Sequence, residues 1–192
     1  MKGMLVVLVG PSGAGKGRVF KEIAKLRKNV RKVLSVTTRS VRPNEKQGVD
    51  YIYVDRNKFF QMKENGEFFE SVNYDGNFYG TLNIPVEELE ERDLFLDKDV
   101  RGAIKIKEKF PEAITIYIMP NDVETLIKRR GDRGKYRQQI AEEEVTLAKQ
   151  MDFLVINDDI ADTVKTVESI IQCMRNCSMK NKWNIKFLEE FY

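Results

Sequence analysis

The chain has 192 residues, 33 lysines and arginines against 30 aspartates and glutamates, no histidine, and a formal charge of +3. That length makes one domain with a sizeable core, and 42% hydrophobic with 33% charged residues excludes a disordered or membrane-spanning chain. So slight a positive balance suits a protein that handles phosphates, and without a basic stripe it gives no case for nucleic acid.

Met4 to Val9, MLVVLV, is a continuous apolar run ending at a glycine, the pattern of a central parallel strand covered on both faces. It is too short for a secretion signal, and no transmembrane run follows. Val19, Phe20, Ile23, Ala24 and Leu26 then recur at helical spacing. Between strand and helix lie Gly10, Pro11, Ser12, Gly13, Ala14, Gly15, Lys16, Gly17 and Arg18. The spacing of Gly10, Gly15 and Lys16 is that of a phosphate-cradling loop. Glycines let backbone N–H groups turn onto phosphate oxygens, the helix start adds its dipole, and Lys16 reaches the transferred phosphate. A bare glycine turn without ligand is the alternative, but strand, loop, lysine and helix agree on the first reading. The strict motif has Ser or Thr at position 17 as a magnesium ligand. Here Gly17 lacks the hydroxyl and Arg18 places a long cation beside it.

The interval Val36 to Glu91 is rich in aromatics and turns and predicts an inserted mixed α+β subdomain, residues 36–91, within a core of 1–35 and 92–175. Arg39 and Arg42, three apart before a proline, can converge on one dianion, and guanidinium forks suit phosphate. Solvated surface arginines are the default for such a pair in isolation. Further on, Glu70, Tyr79 and Thr81 lie near one another in sequence. A carboxylate beside a phosphate cluster has a use if it accepts from N1–H and the exocyclic amine of guanine, which selects that base against adenine.

Apolar runs at Leu94 to Leu96, Ile114 to Ile118 and Phe153 to Ile156 predict further strands. Helices are expected over Val100 to Phe110, Asp122 to Arg130 and Ile160 to Met174, the last capped by Asp158 or Asp159. The predicted fold class is therefore α/β, a parallel sheet with helices on both faces. RRGDRGKYRQQ, Arg129 to Gln139, is basic and glycine-interrupted and reads as a mobile surface segment. Cys173 and Cys177 read as a reduced pair, because no second pair and no histidine completes a ligand set, which fits a cytoplasmic setting. The extension 176–192 has no role assigned from sequence.

The words GPSGAGKG, SVTTRSVRP, GVDY, NGEFFE, GNFYGT, LDKDVRGA, RRGDRG and VINDD run in this order from Met4 to about Met174 and resemble guanylate kinase. The resemblance implies a P-loop NTPase-type core with a GMP-binding insert and a short lid, at about 129–142. It also implies transfer of the γ-phosphate of ATP to GMP, giving ADP and GDP, in purine nucleotide metabolism. By matching positions, it implies that the loop from Gly10 to Arg18, with Asn157, holds ATP. Ser35, Arg39, Arg42, Tyr51 and Tyr79 would hold the GMP phosphate, and Glu70, Thr81 and Asp99 the guanine. Asp97 would act on Mg²⁺ through water, while Lys16, Arg39 and the lid's Arg129 and Arg133 are the catalytic cations. Period-two alternation puts Asp97 and Asp99 on one side of the strand.

Departures accompany the match. Nucleoside monophosphate kinases often have Lys-Gly-Thr in the loop, so Arg18 rather than Gly17 is the surprise. Lys98 and Arg101 replace Ile and Gln, Lys98 being expected in buried space. Glu142 or Glu143 stands where the lid helix has an arginine, and the lid carries Lys135, Tyr136 and Arg137. These keep open a binding module that holds GMP or a phosphorylated partner segment with little or no turnover. A kinase of another phosphorylated small molecule is a further option, opposed by Glu70 and Tyr79. No nucleic-acid or membrane partner is expected, and the sequence leaves the oligomeric state open.

Overall fold

A computed structural model describes residues 2–11, 13–43, 45–74, 76–120 and 147–189. In chain order the elements are β1 (Leu5–Val9), α1 (Lys16–Leu26), β2 (Val30–Lys32), β3 (Ser35–Thr37), β4 (Ile52–Tyr53), α2 (Arg56–Glu64) and β5 (Phe68–Tyr74). They continue with β6 (Asn77–Leu82), a 3₁₀ turn (Val86–Glu90), β7 (Asp93–Lys98), α3 (Val100–Lys109), β8 (Ile114–Pro120), β9 (Phe153–Asn157) and α4 (Ile160–Glu189). Two compact units emerge, Met1–Gly3 with Asn29–Leu96 and Met4–Lys28 with Asp97–Tyr192.

The unit that carries β1 is the α/β body expected from sequence. Its strands run β1-β8-β9 in parallel, with Val6 opposite Ile114 and Ile116 opposite Phe153. Alternate strand residues point to opposite faces, so burial of all five β1 side chains means that both faces are covered. Helix α3 packs on β1 and β8, and α4 on α1 and β9. The buried stripes are Val19 and Ile23 on α1, Val100, Ala103 and Ile106 on α3, and Val164, Val167 and Ile171 on α4.

Two boundaries differ from the sequence reading. Helix α1 begins at Lys16 rather than Val19, because the loop lysine is already its first residue. Helix α4 runs to Glu189, past the expected end at Met174, since no glycine or proline between Ile160 and Glu189 interrupts it. Of the two candidate caps, Asp159 is the one used: its Oδ1 accepts from Ala161 N at 2.7 Å and Asp162 N at 3.0 Å. The expected helix Asp122 to Arg130 lies outside the described residues.

One carboxylate fastens the approach to β9. Asp152 accepts two bonds from Lys107 Nζ, at 2.9 and 2.8 Å, and bonds from Thr115 N at 2.8 Å and Thr115 Oγ1 at 2.9 Å. Burial alone would raise its pKa, but the Lys107 and Thr115 bonds prevail and hold it below the ordinary value. A carboxylate depressed in the folded state contributes stability above its unfolded pKa of about 3.9, and that contribution is lost as pH falls through the lower folded value. Asp152→Asn is expected to cost about 1–3 kcal/mol in urea unfolding near neutral pH, the usual worth of charged hydrogen bonds. An unchanged midpoint would remove Asp152 as a fastener.

The other unit holds a four-stranded sheet of order β4-β3-β6-β5, with β3 and β4 parallel and the other pairs antiparallel. It also includes the parallel pairing of β2 with β7, Val30 opposite Asp93, which is why it begins at Asn29 and ends at Leu96, wider than the interval 36–91 drawn from sequence. Val36 points to the face covered by α2, where it packs with Phe59 and Met62 against Ile52, Val54, Phe68, Phe78 and Leu82. Gly80 faces that core, and a Cβ there would lie 2.7 Å from the Phe68 ring. Pairing of Ser35 and Glu70 with Thr81, and of Tyr53 and Tyr79 with Thr37, puts these six side chains on the opposite face.

Candidate active site

In the β1 unit the loop is closed around its lysine. Lys16 is buried, and its Nζ donates to Gly10 O at 2.7 Å and Pro11 O at 3.0 Å and lies 3.4 Å from Asp97 Oδ1. Helix α1 starts with no side-chain cap on Gly15 and no acidic residue in its first turn. Its first N–H groups and dipole are thus available to an anion.

Asn157 braces the same loop. Its buried amide donates from Nδ2 to Ala14 O at 2.7 Å and accepts at Oδ1 from Thr163 Oγ1 at 3.0 Å. Gly15, at φ +96°, accommodates this contact, because a Cβ there would come within 2.3 Å of Nδ2. A cleft of about 410 Å³ is lined by Gly13, Gly15, Arg18, Asn157, Asp158, Asp159 and Ile160. Arg18 is exposed at its edge, and the space beside Gly17 is open, with nothing within 4 Å of a Cβ built there.

The strand side carries one correction. Strand β7 stops at Lys98, so Asp99 does not continue the alternation with Asp97; it caps α3, accepting from Gly102 N at 2.7 Å. Lys98 is half-buried rather than enclosed, and its carbonyl accepts from Gly10 N at 3.3 Å. Ser12, Arg129, Arg133, the lid 129–142 and Glu142 and Glu143 lie outside the described residues.

The second cluster sits in the four-stranded unit. Arg39 donates from Nη2 to Glu45 Oε1 at 2.9 Å and from Nη1 to Ser40 O at 2.7 Å. Its guanidinium lies 5.5 Å from the Tyr51 ring and 5.7 Å from the Tyr53 ring, within cation–π range. Tyr51 meets Tyr79 edge to face at 6.4 Å between centroids. Arg42 is exposed close by in the chain. In the same sheet, Thr81 Oγ1 donates to Glu70 Oε1 at 3.2 Å, with Ser35 opposite Thr81 on the other side. The result is a cation flanked by tyrosines and, on the same sheet face, a carboxylate in a row of hydroxyls.

Glu45 and Tyr53 were not singled out from sequence. Burial would raise the Glu45 carboxyl, but bonds from Arg39, Tyr53 and the Arg42 backbone, with the Arg39 charge, bring its pKa down to about 2. Burial and the bond to Glu45 push the Tyr53 phenol up to about 12. The available signals were a glutamate three residues after Arg42, able to accept its backbone N–H at 3.1 Å, and a tyrosine two after Tyr51. Thr163 was missed as well, because its bond to Asn157 is visible only in the fold.

Comparisons bear on this arrangement. The family model described as guanylate kinase matches residues 2–174. A guanylate kinase of Carboxydothermus hydrogenoformans is 39% identical, over 88% of this chain and 88% of its own. One from Clostridioides difficile is 37% identical over 98% of each. A crystal structure of guanylate kinase from Anaplasma phagocytophilum superimposes with a TM-score of 0.73 at 32% identity, covering 90% of this chain and 86% of that one. With its phosphate loop, its arginine–tyrosine cluster and these matches over nearly its whole length, the chain belongs to the guanylate kinase family.

Proposed function

We propose that the protein transfers the γ-phosphate of ATP to GMP, giving ADP and GDP. The single observation that supports this best is the coexistence of two anion sites of different kinds, one built on Lys16 and the other on Arg39. In this reading the loop from Gly10 to Arg18 holds the ATP phosphates, and Arg39, Arg42, Tyr51 and Tyr79, with Ser35 in the same sheet, hold the monophosphate. Glu70 and Thr81 hold guanine. Asp99 is assigned to guanine by the resemblance alone, since its carboxylate already caps α3. Asn157 acts on ATP through the loop that it braces.

The chemistry needs no general base, because a phosphate monoester is already anionic. In-line attack of a GMP phosphate oxygen on the γ-phosphorus passes through a loose transition state, and the protein's work is positioning and charge compensation. Lys16 exchanges its contacts with Gly10 O and Pro11 O for phosphate oxygens. Arg39 and Arg42 offset the charge of the attacking dianion, joined by Arg129 and Arg133 of the lid.

The donor set fits magnesium. Among the described residues no group of three or more acidic, Cys or His side chains could hold a metal ion, while Asp97 stands beside Lys16. One carboxylate plus substrate phosphates and water is how Mg²⁺ is commonly held, and the bound ion supplies charge neutralisation at the phosphates. Gly17→Ser restores the hydroxyl of the strict motif at an open position. It is expected to stabilise the protein by about 0.5 kcal/mol through helix propensity. It should also lower the Mg²⁺ concentration needed for half-maximal ADP formation, and an unchanged or higher concentration would show that the hydroxyl at position 17 does not serve the metal.

A reducing, cytoplasmic setting fits the exposed thiols of Cys173 and Cys177, whose Sγ atoms lie 4.0 Å apart and form no disulfide. No described helix is long and apolar enough to cross a membrane. Nothing on the described residues favours the binding-module reading. ADP release that depends on added GMP tests the proposal; GMP bound by calorimetry without ADP above the ATP-only control would replace it with that module.

A further inference from the structure

Glu45 poses a physical problem. A carboxylate in contact with Arg39 adds negative charge to a site read as one for a dianion, and at that distance the repulsion is adverse. Its surroundings show that it is anchored rather than lodged there for want of a ligand. Its side chain is only 18% exposed, and both oxygens are engaged: Oε1 by Arg39 Nη2 at 2.9 Å, Oε2 by Arg42 N at 3.1 Å and by the Tyr53 hydroxyl at 2.7 Å. A phosphate arriving at Arg39 could replace the first contact only. Withdrawal of Glu45 would leave the partly buried Tyr53 hydroxyl without this acceptor, which is costly for a sheltered donor, and would release the exposed Arg42 N–H to water.

The carboxylate also engages only one edge of the guanidinium. Of five guanidinium N–H groups, Glu45 engages one and Ser40 O another, and the Tyr53 hydroxyl also bears on the group, so the carboxylate itself occupies a single N–H. The tyrosine rings at 5.5 and 5.7 Å flank the group. Ordering of a long side chain is thereby completed before a ligand arrives, which is the ordinary source of affinity from preorganisation.

We propose that Glu45 is a positioning residue for the monophosphate site. It holds the Arg39 guanidinium and the Arg42 backbone so that both arginines present their remaining N–H groups to the phosphate of GMP. This rests on the reading of that site given above. With the carboxyl near 2 and the Tyr53 phenol near 12, acceptor and donor keep these states across the working pH range.

The test measures binding of GMP and of guanosine, which lacks the phosphate, to the full chain by calorimetry, with steady-state kinetics alongside. Glu45→Gln keeps the shape but can accept with one oxygen only. Its GMP affinity is expected to fall about tenfold or more, as for loss of a charge-assisted bond. Guanosine affinity and KM for ATP should stay within about twofold, and kcat within about threefold, so that the loss appears in KM for GMP. In an Arg39→Ala background the same substitution should cost clearly less than in the unaltered protein, because one of the two residues it positions is gone. Tyr53→Phe, which removes one donor and no charge, should show a smaller loss of the same kind and carries the test if Glu45→Gln fails to fold. GMP binding unchanged or tightened in these variants would overturn the proposal, the latter by showing that the carboxylate competes with phosphate. An equal loss for guanosine would overturn it in favour of a purely structural role. If the unaltered protein binds GMP no better than guanosine, the phosphate-site reading itself falls first.

Discussion

Lys16→Met is expected to lower kcat by on the order of 10²–10³-fold, the usual loss when one preorganised donor to a transition-state oxygen is removed. Methionine keeps the length and flexibility of the stem, so the comparison isolates the ammonium. Lys16 does two things in the free protein that must be separated from catalysis: it ties Gly10 O to Pro11 O and stands 3.4 Å from Asp97. Loss of those ties should appear as a modest fall in thermal midpoint, while loss of transition-state charge compensation should appear in kcat at saturating ATP. If kcat survives and only the midpoint falls, Lys16 is a clip for its own loop and the catalytic reading of the loop is wrong.

Glu70→Gln is expected to collapse base selection. A carboxylate can accept from both N1–H and the N2 amine of guanine, whereas an amide offers one acceptor and turns a donor toward the other N–H. Hydrogen-bonded recognition of this kind discriminates by up to about 10⁴–10⁵-fold, because a mismatched partner leaves polar groups unpaired. The ratio of kcat/KM for GMP to that for AMP should fall by about 10²-fold, with KM for ATP unchanged. The Thr81 hydroxyl at 3.2 Å can donate to the surviving amide oxygen, so fold stability should change little. Equal losses toward GMP and ATP would refute the role given to Glu70.

How much of this was legible in the sequence depended on how local each cause is. Strand β1 and its loop were readable because six apolar residues, a glycine spacing and a lysine lie within fifteen positions and act on neighbours in the chain. Arg39 and Glu70 were readable as residue types with a chemistry. The Asn157 brace was not, since it joins side chain and loop across 143 residues, and only folding shows that its amide meets Ala14. Glu45 was missed because a glutamate in a turn is ordinarily solvated; its significance depends on Tyr53 and Arg39 returning to it from β4 and the preceding turn. The period-two argument failed at Asp99 for a local reason, because the strand had given way to a helix whose first turn needed an acceptor. The length of α4 was underestimated because the expected domain end, rather than any helix breaker, set the boundary.

Passage of phosphate from ATP to GMP is best measured by following the phosphorus itself. The purified protein is given ATP labelled at the γ-position, Mg²⁺ and one of GMP, AMP, UMP or CMP, and the products are separated. Label is expected in the β-phosphate of GDP, formed with GMP far faster than a diphosphate forms with the other three. Label found only in inorganic phosphate, or no release of label while GMP is bound, would contradict it.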